Sequence, residues 1–200
     1  MAGTLPNRRF ALAAALGAAL VALVCLALFA TSGAERADAE AAARVCANAD
    51  ASPADASKGE LRQAVGCLLA KERAKRDRKR ARPNAALKRV AQKHTVKMIE
   101  TNCFEHQCKG EASLQKRIER SGYVGPGDRY GYGEITGCGP SPRTMVEQWM
   151  DKTVARKTIL DRSFRHLGIG VAKGAPKVAE GCKVRNLYAT YTVLFAWRRG

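Results

Sequence analysis

Six of the seven cysteines lie beyond an N-terminal apolar run, and they constrain this fold more than any other feature. An even number of cysteines indicates disulfide bonds wherever the chain folds in an oxidising compartment, although six thiols allow ~15 connectivities. A cysteine-based zinc site is the alternative, but the chain lacks the closely spaced CxxC pairs that favour one. We predict the pairs Cys46–Cys67, Cys103–Cys108 and Cys138–Cys182.

Residues 1–34 have the composition of an export segment. Arg8 and Arg9 precede an uninterrupted apolar run, Phe10–Ala30, and small residues follow it. The run spans 21 residues, longer than the ~7–15 of a signal-peptide core and close to the ~20 that cross a bilayer. It is therefore a cleaved signal peptide or an uncleaved membrane anchor through residues 10–30. Both alternatives predict a secreted or membrane-anchored protein with its domain outside the cytoplasm.

The chain is strongly basic, with a formal net charge of +17. Such a surface attracts polyanions, and outside the cell an anionic lipid or a cell-wall polymer is a better candidate partner than nucleic acid. The densest run, Lys71–Arg82, holds eight Lys or Arg against Glu72 and Asp77. A solvated helix end is the favoured interpretation of this run, and a polyanion contact is the alternative.

Residues 35–56 have the composition of a linker, and residues 57–200 that of one domain. A capping box at Ser57 and Glu60 begins a helix that is predicted to run to about Arg78. Further helices are predicted over Ala85–Glu100, Ser113–Ser121 and from Ser141, and strands over Arg129–Ile135, Leu167–Val171 and Leu187–Trp197. Helices followed by strands, without βαβ alternation, predict an α+β fold with a small antiparallel sheet flanked by helices.

One histidine, His106, lies between two cysteines in the stretch Cys103–Cys108, and Glu134 follows about thirty residues later. A histidine and a carboxylate brought together by folding could form a metal site or an acid–base site. His94, in contrast, lies on the apolar face of the second predicted helix. There a hydrogen-bonded core histidine is the favoured interpretation.

Several short motifs, in this order and spacing, resemble the CAP superfamily, or SCP domain, in its bacterial secreted branch. They are Ala91-x-x-His94-x-x-x-Met98, Phe104-Glu-His106, Gly122-Tyr123, Gly133-Glu134, Trp149-Met150 and Leu167-Gly168-Ile169-Gly170. The resemblance implies an α-β-α sandwich around a central antiparallel sheet. It also implies a cleft with two histidines and up to two acids, which can hold a divalent metal. His106 matches the first family histidine and Glu134 matches the acid of the Gly-Glu-Asn motif.

The chain departs from the family pattern at the other cleft positions. Ala155 stands where the second histidine belongs, and Lys152 stands where other branches carry the second acid. Zinc takes three or four ligands, whereas His106 and Glu134 supply two. We therefore predict no metal unless a further ligand exists, no cofactor, and an ion pair between Lys152 and Glu134.

Two functions of different classes follow from these patterns. The favoured one is a non-enzymatic, exported CAP-like domain at the cell envelope that binds a lipid, a small hydrophobic molecule or an anionic polymer; some family members bind lipid or sterol. The alternative is a metal-assisted extracellular hydrolase or protease that uses His106 and Glu134. A disulfide-stapled surface module that contacts another protein is a third hypothesis. No residue is predicted to be catalytic under the favoured hypothesis.

Overall fold

The computed structural model describes residues 46–179, 181–182 and 187–200. The export segment 1–34 and the first half of the predicted linker, residues 35–45, therefore lie outside the described residues. Within the described part, no helix has the length and apolar character needed to cross a membrane. The elements are, in chain order, α1 (Lys58–Ala74), β1 (Arg82–Pro83), α2 (Ala85–Glu100), α3 (Leu114–Glu119), β2 (Arg129–Gly139), α4 (Pro142–Asp151), α5 (Thr153–Leu160), β3 (His166–Lys173) and β4 (Ala189–Arg199).

The strands form one four-stranded sheet in the order β1-β3-β4-β2. β4 pairs antiparallel with β3 and with the full length of β2, from Arg129 to Gly139. β1 is a two-residue edge strand parallel to β3, which the sequence did not predict. Arg82 and Asn84 donate N–H bonds to the β3 side, whereas Pro83 has no N–H, which suits an edge position.

Helices cover both faces of this sheet. α1, α4 and α5 contact one another and pack on one face, and α2 packs on the other face against β3 and β4, with α3 beside it. Neighbouring β4 residues point to opposite layers: Phe195 packs with α1, α4 and α5, whereas Ala196 packs with Leu87 of α2. This alternation confirms the predicted α+β sandwich, a small sheet flanked by helices.

Helix α1 begins as its sequence predicts. Ser57 accepts a hydrogen bond from the Glu60 N–H, and the Glu60 carboxylate accepts one from the Ser57 N–H. The helix ends at Ala74, earlier than predicted, because Asp77 takes a left-handed conformation with a φ of 53° and the Arg78 N–H donates back to the Arg73 carbonyl. The Arg73 side chain is 1% exposed and donates to the carbonyls of four residues: Lys79, Ile159, Asp161 and Phe164.

Helix α2 lies unusually close to strand β3. A Cβ atom added at Gly170 would come within 2.5 Å of the Ala91 backbone. Only glycine permits this approach, which explains the Gly-x-Gly pattern of β3.

The three disulfide bonds join Cys46 to Cys67, Cys103 to Cys108 and Cys138 to Cys182. All three pairs are those that the sequence predicted. Cys46–Cys67 ties the start of the described chain to α1, and Cys103–Cys108 closes a short loop after α2. Cys138–Cys182 joins β2 to the segment before β4.

Candidate functional site

His106 and Glu134, the two predicted cleft residues, are in direct contact. The His106 Nδ1 and Glu134 Oε1 atoms are 2.8 Å apart. The loop closed by Cys103–Cys108 presents the histidine, whose side chain is 66% exposed, while Glu134 projects from the middle of β2 and is 2% exposed. The hydrogen bond to Glu134 raises the pKa of His106 above its usual value, although partial burial opposes this shift.

His94 forms a second histidine–carboxylate pair beneath the first. Its Nδ1 atom lies 2.8 Å from Glu111 Oε2, and its side chain is fully buried. His94 is thus the hydrogen-bonded core histidine that the sequence favoured. Its other nitrogen, Nε2, faces the cleft 3.9 Å from Glu134 Oε1 and has no hydrogen-bond partner among the described residues.

Arg117 of α3 lies between the two carboxylates. Its Nη1 atom is 3.3 Å from Glu111 Oε1 and 3.7 Å from Glu134 Oε2. Its Nη2 atom donates to the His106 carbonyl at 2.6 Å. We call these five residues the cleft cluster: His94, His106, Glu111, Arg117 and Glu134. Each carboxylate of the cluster therefore lies beside a histidine and the Arg117 guanidinium.

Sequence reasoning missed Glu111 and Arg117. Arg117 belongs to the stretch Lys116–Arg120, where three of five residues are basic and nothing in the pattern separates one from the others. Glu111 follows the left-handed turn at Gly110, which has a φ of 77°. That turn returns the chain so that Glu111 also accepts a bond from the Cys108 N–H.

The predicted ion pair between Lys152 and Glu134 is not formed. Lys152 lies between α4 and α5 with an extended backbone and an exposed side chain. Within the part of the chain that the structure describes, the basic side chains within 4.0 Å of Glu134 are Arg117 and the two histidines. Arg117, and not Lys152, lies beside Glu134, because α3 packs beside α2 and brings the Arg117 guanidinium to the cleft.

The cluster residues do not fit a divalent metal of the kind that the family cleft can hold. His94, Cys108 and Glu111 have ligand atoms within 4.8 Å of one another. However, Cys108 is in a disulfide bond, so its sulfur is not a thiolate. The unpartnered Nε2 of His94 lies 3.9 Å from one oxygen of Glu134, and the Arg117 guanidinium lies 3.7 Å from the other, where its charge repels a cation. The position of the second family histidine is filled by Ala155, which is buried in α5.

Comparison with known proteins agrees with this fold. The model of the CAP family, described as the cysteine-rich secretory protein family, matches residues 68–192. The match covers more than half of the chain, so the chain belongs to the CAP family. It is also 34% identical over 85 residues to the "uncharacterized membrane protein YlbC" of Bacillus subtilis (strain 168). That alignment covers 41% of this chain and 23% of the relative.

Two solved structures have the same fold. An outer surface protein from Borrelia burgdorferi matches with a TM-score of 0.59 and 16% identity, over 72% of this chain and 97% of that one. An extracellular SCP-domain protein from Bacillus anthracis matches with a TM-score of 0.52 and 20% identity, over 70% of this chain and 43% of that one. At these identities the likeness establishes the fold and not the function.

Proposed function

We propose that this protein is an exported, non-enzymatic CAP domain that binds an anionic component of the cell envelope. One observation carries the proposal: the acids of the cleft cluster lie beside basic groups of the same cluster, whereas most Lys and Arg side chains of the described residues have no carboxylate within 4.0 Å. Among the described residues, the cleft has one buried imidazole nitrogen without a hydrogen-bond partner, His94 Nε2, and its cysteines are bridged, so it offers no paired nucleophile and base for hydrolysis. A strongly basic surface offers a great deal for binding.

The charge balance of the surface supports this function. The chain carries 35 Lys and Arg against 18 Asp and Glu. Ion pairs within 4.0 Å, over the described residues, engage five Lys or Arg side chains: Lys75, Arg76, Arg117, Arg143 and Arg198. Most of the other Lys and Arg side chains that the structure describes are exposed and therefore available to an anionic partner.

The basic run Lys71–Arg82 divides into structural and free cations. Arg73 is buried, and Arg78 donates its Nε–H to the Leu160 carbonyl. Lys75 and Arg76 pair with Glu72, so they stabilise the helix end. Lys79 and Arg82 are exposed, and neither forms an ion pair within the described ranges. We infer that these free cations belong to the binding face.

An envelope location agrees with several features of the chain. The disulfide bonds require an oxidising compartment, and two structural neighbours are named as an outer surface protein and an extracellular protein. Residues 10–30 would act as the signal or the anchor. An anchored domain would hold its free cations near anionic lipid headgroups, where each contributes about 1 kcal/mol of attraction.

Vesicle sedimentation of the full chain tests the proposal. The N-terminal run is the same in every sample, so the difference between anionic and zwitterionic vesicles reports on the domain. We expect preferential binding to phosphatidylglycerol vesicles at low salt that weakens as salt rises. The double variant Lys79→Gln, Arg82→Gln should weaken it roughly thirtyfold, because each lost cation removes about 1 kcal/mol.

The matched control is Lys109→Gln, Lys116→Gln, which removes the same charge from another part of the surface. Equal binding to both vesicle types, or equal losses in the two double variants, would contradict the proposed binding face. A parallel pull-down with purified anionic cell-wall polymer distinguishes a polymer ligand from a lipid.

A further inference from the structure

A groove separate from the cleft cluster lies at the β1–β3 edge of the sheet, between α1 and α2. Its volume is about 530 Å³, within the roughly 300–1,000 Å³ that is typical of small-molecule sites. Leu167 and Ile169 of β3 form an apolar floor. Three cations line it from three different parts of the chain: Arg62 of α1, Arg80 before β1 and Lys88 of α2.

Arg62 is positioned in advance of any ligand. Its Nε atom donates to the Ile169 carbonyl at 3.0 Å, and its Nη2 atom donates to Gln92 Oε1 at 2.8 Å. Gln92 is itself fixed by two bonds to the Val171 backbone. These partners hold the guanidinium without neutralising it, and its burial lowers the pKa of Arg62. A half-buried cation without a carboxylate partner is costly to the fold, and an anion that bonds to it relieves this cost. Arg62 is therefore suited to bind an anion.

The other two cations are also unneutralised. Arg80 and Lys88 are exposed. Over the described residues, none of the three groove cations has a carboxylate oxygen within 4.0 Å. The groove therefore combines an apolar floor with a rim of uncompensated positive charge.

Gly66 keeps the groove open. It lies in the middle of α1, where glycine destabilises a helix relative to alanine. Neither its backbone nor its packing requires glycine: its φ is in the ordinary range, and an added Cβ would lie 3.5 Å from Ile169 Cδ1, an ordinary contact. What the missing side chain provides is space above the apolar floor.

We propose that this groove binds a small anionic amphiphile, with its carboxylate or phosphate head on Arg62, Arg80 and Lys88 and its apolar part on Leu167 and Ile169. The proposal rests on the proposed envelope function and assigns it a ligand class and a site. Charge complementarity selects an anion, and the floor selects an apolar tail. Free fatty acids and single-chain phospholipids share this chemistry.

Calorimetric titration of the full chain, held in zwitterionic nanodiscs, tests the site. Octanoate and octyl phosphate represent the two head groups, and octanol and octylammonium supply the neutral and cationic controls. We expect the two anions to bind at least roughly tenfold more tightly than octanol, and octylammonium not to bind. The preference between octanoate and octyl phosphate indicates which source of amphiphile the site suits. Equal affinity for octanoate and octanol would overturn the proposal.

Two kinds of variant locate the binding. Arg80→Gln with Lys88→Gln should weaken octanoate binding roughly tenfold through lost charge-assisted hydrogen bonds. Lys93→Gln removes an exposed charge from the same helix α2, outside the groove lining, and should leave the affinity unchanged. Gly66→Leu should abolish binding by filling the groove, and thermal unfolding verifies that this variant is folded. Gly66→Ala provides a smaller obstruction if the leucine variant does not fold.

The outcomes separate this proposal from the envelope function. If octanoate binds a folded Gly66→Leu protein as it binds the original chain, the groove is not the site. If no octyl probe binds but anionic vesicles are still preferred, the groove proposal fails and the binding face stands. If neither binds, both proposals fail.

Discussion

The cleft cluster and the basic groove each contain a partly buried arginine, and the two arginines differ in their partners. Arg117 faces two carboxylates at 3.3 and 3.7 Å. Arg62 faces a carbonyl and an amide, which leave its charge unneutralised. A charge balanced inside the protein stabilises the fold and is not available to ligands, whereas an unbalanced charge reduces stability and attracts them. The region that resembles the family cleft thus has its arginine beside carboxylates, whereas the groove has an arginine without one.

The contrast between Arg117 and Arg62 predicts its largest effect on stability for Arg117→Met. The change leaves Glu111 and Glu134 as two buried carboxylates without their shared cation, so the free energy of unfolding should fall by about 4 kcal/mol. Denaturant unfolding at pH 7 measures this loss. Lys152→Met is the matched control and should change stability by less than about 0.5 kcal/mol. A loss below about 1 kcal/mol for Arg117→Met would show that the cluster does not depend on this arginine.

The disulfides of the two regions should differ in the same measurement. Cys46–Cys67, which ends beside the groove, has a sequence separation of 21 residues, and Cys103–Cys108, which carries His106, has one of 5. The chain-entropy relation gives about 3 kcal/mol for the longer loop and about 2 kcal/mol for the shorter one. Paired Cys→Ala variants in denaturant unfolding measure both values. The reverse order would mean that the short loop is held by more than its disulfide.

A stabilising change is expected at the groove. Gly66→Ala should raise the free energy of unfolding by about 1 kcal/mol, because alanine favours the helix and its Cβ fits against Ile169. Thermal unfolding measures the gain. Gly59→Ala, in the first turn of the same helix α1, is the control and should give a smaller gain. A destabilised Gly66→Ala protein would mean that packing, rather than space for a ligand, requires this glycine.

The sequence predicted those features of the fold that depend on local sequence pattern and on the family motifs. The capping box of α1 and the layered fold follow from such signals, whereas the three disulfide pairs, which the structure confirms, were one choice among ~15 connectivities. Arg117 could not be predicted, because it belongs to a basic stretch on a six-residue helix and acquires its role from the packing of that helix. The predicted ion pair between Lys152 and Glu134 was wrong. A match to a family motif assigns Lys152 a position in the alignment, but it does not determine where the long lysine side chain points.

The groove could not be predicted from the sequence either. Its cations at residues 62, 80 and 88 lie far apart along the chain and meet over a floor supplied by residues 167 and 169. No periodicity connects them. Gly66 is the one local indication of the groove, because a glycine in the interior of a helix is unusual. Its meaning becomes clear only when the structure shows the groove beside it.

The smallest expected effect is the pH dependence of the stability contributed by His106 and His166, whose surroundings differ. The hydrogen bond to Glu134 raises the pKa of His106 above 6.5. The stability that this pair contributes is therefore full below pH 6.5 and is lost as the pH rises through the raised pKa. Burial, aided by the charges of Arg198 and Arg82, lowers the pKa of His166. Its contribution is full above pH 6.5 and is lost as the pH falls through the lowered pKa.

NMR titration of the imidazole protons resolves both histidines in one experiment. Because His106 is 66% exposed, its effect on stability should stay below about 1 kcal/mol, but the pKa itself is measurable. Glu134→Gln should return the pKa of His106 towards 6.5 and leave that of His166 unchanged, since His166 bonds to Tyr123 instead. If His106 titrates below His166, the hydrogen bond to Glu134 does not control it, and the cleft cluster would lack the internal pairing that sets it apart from the groove.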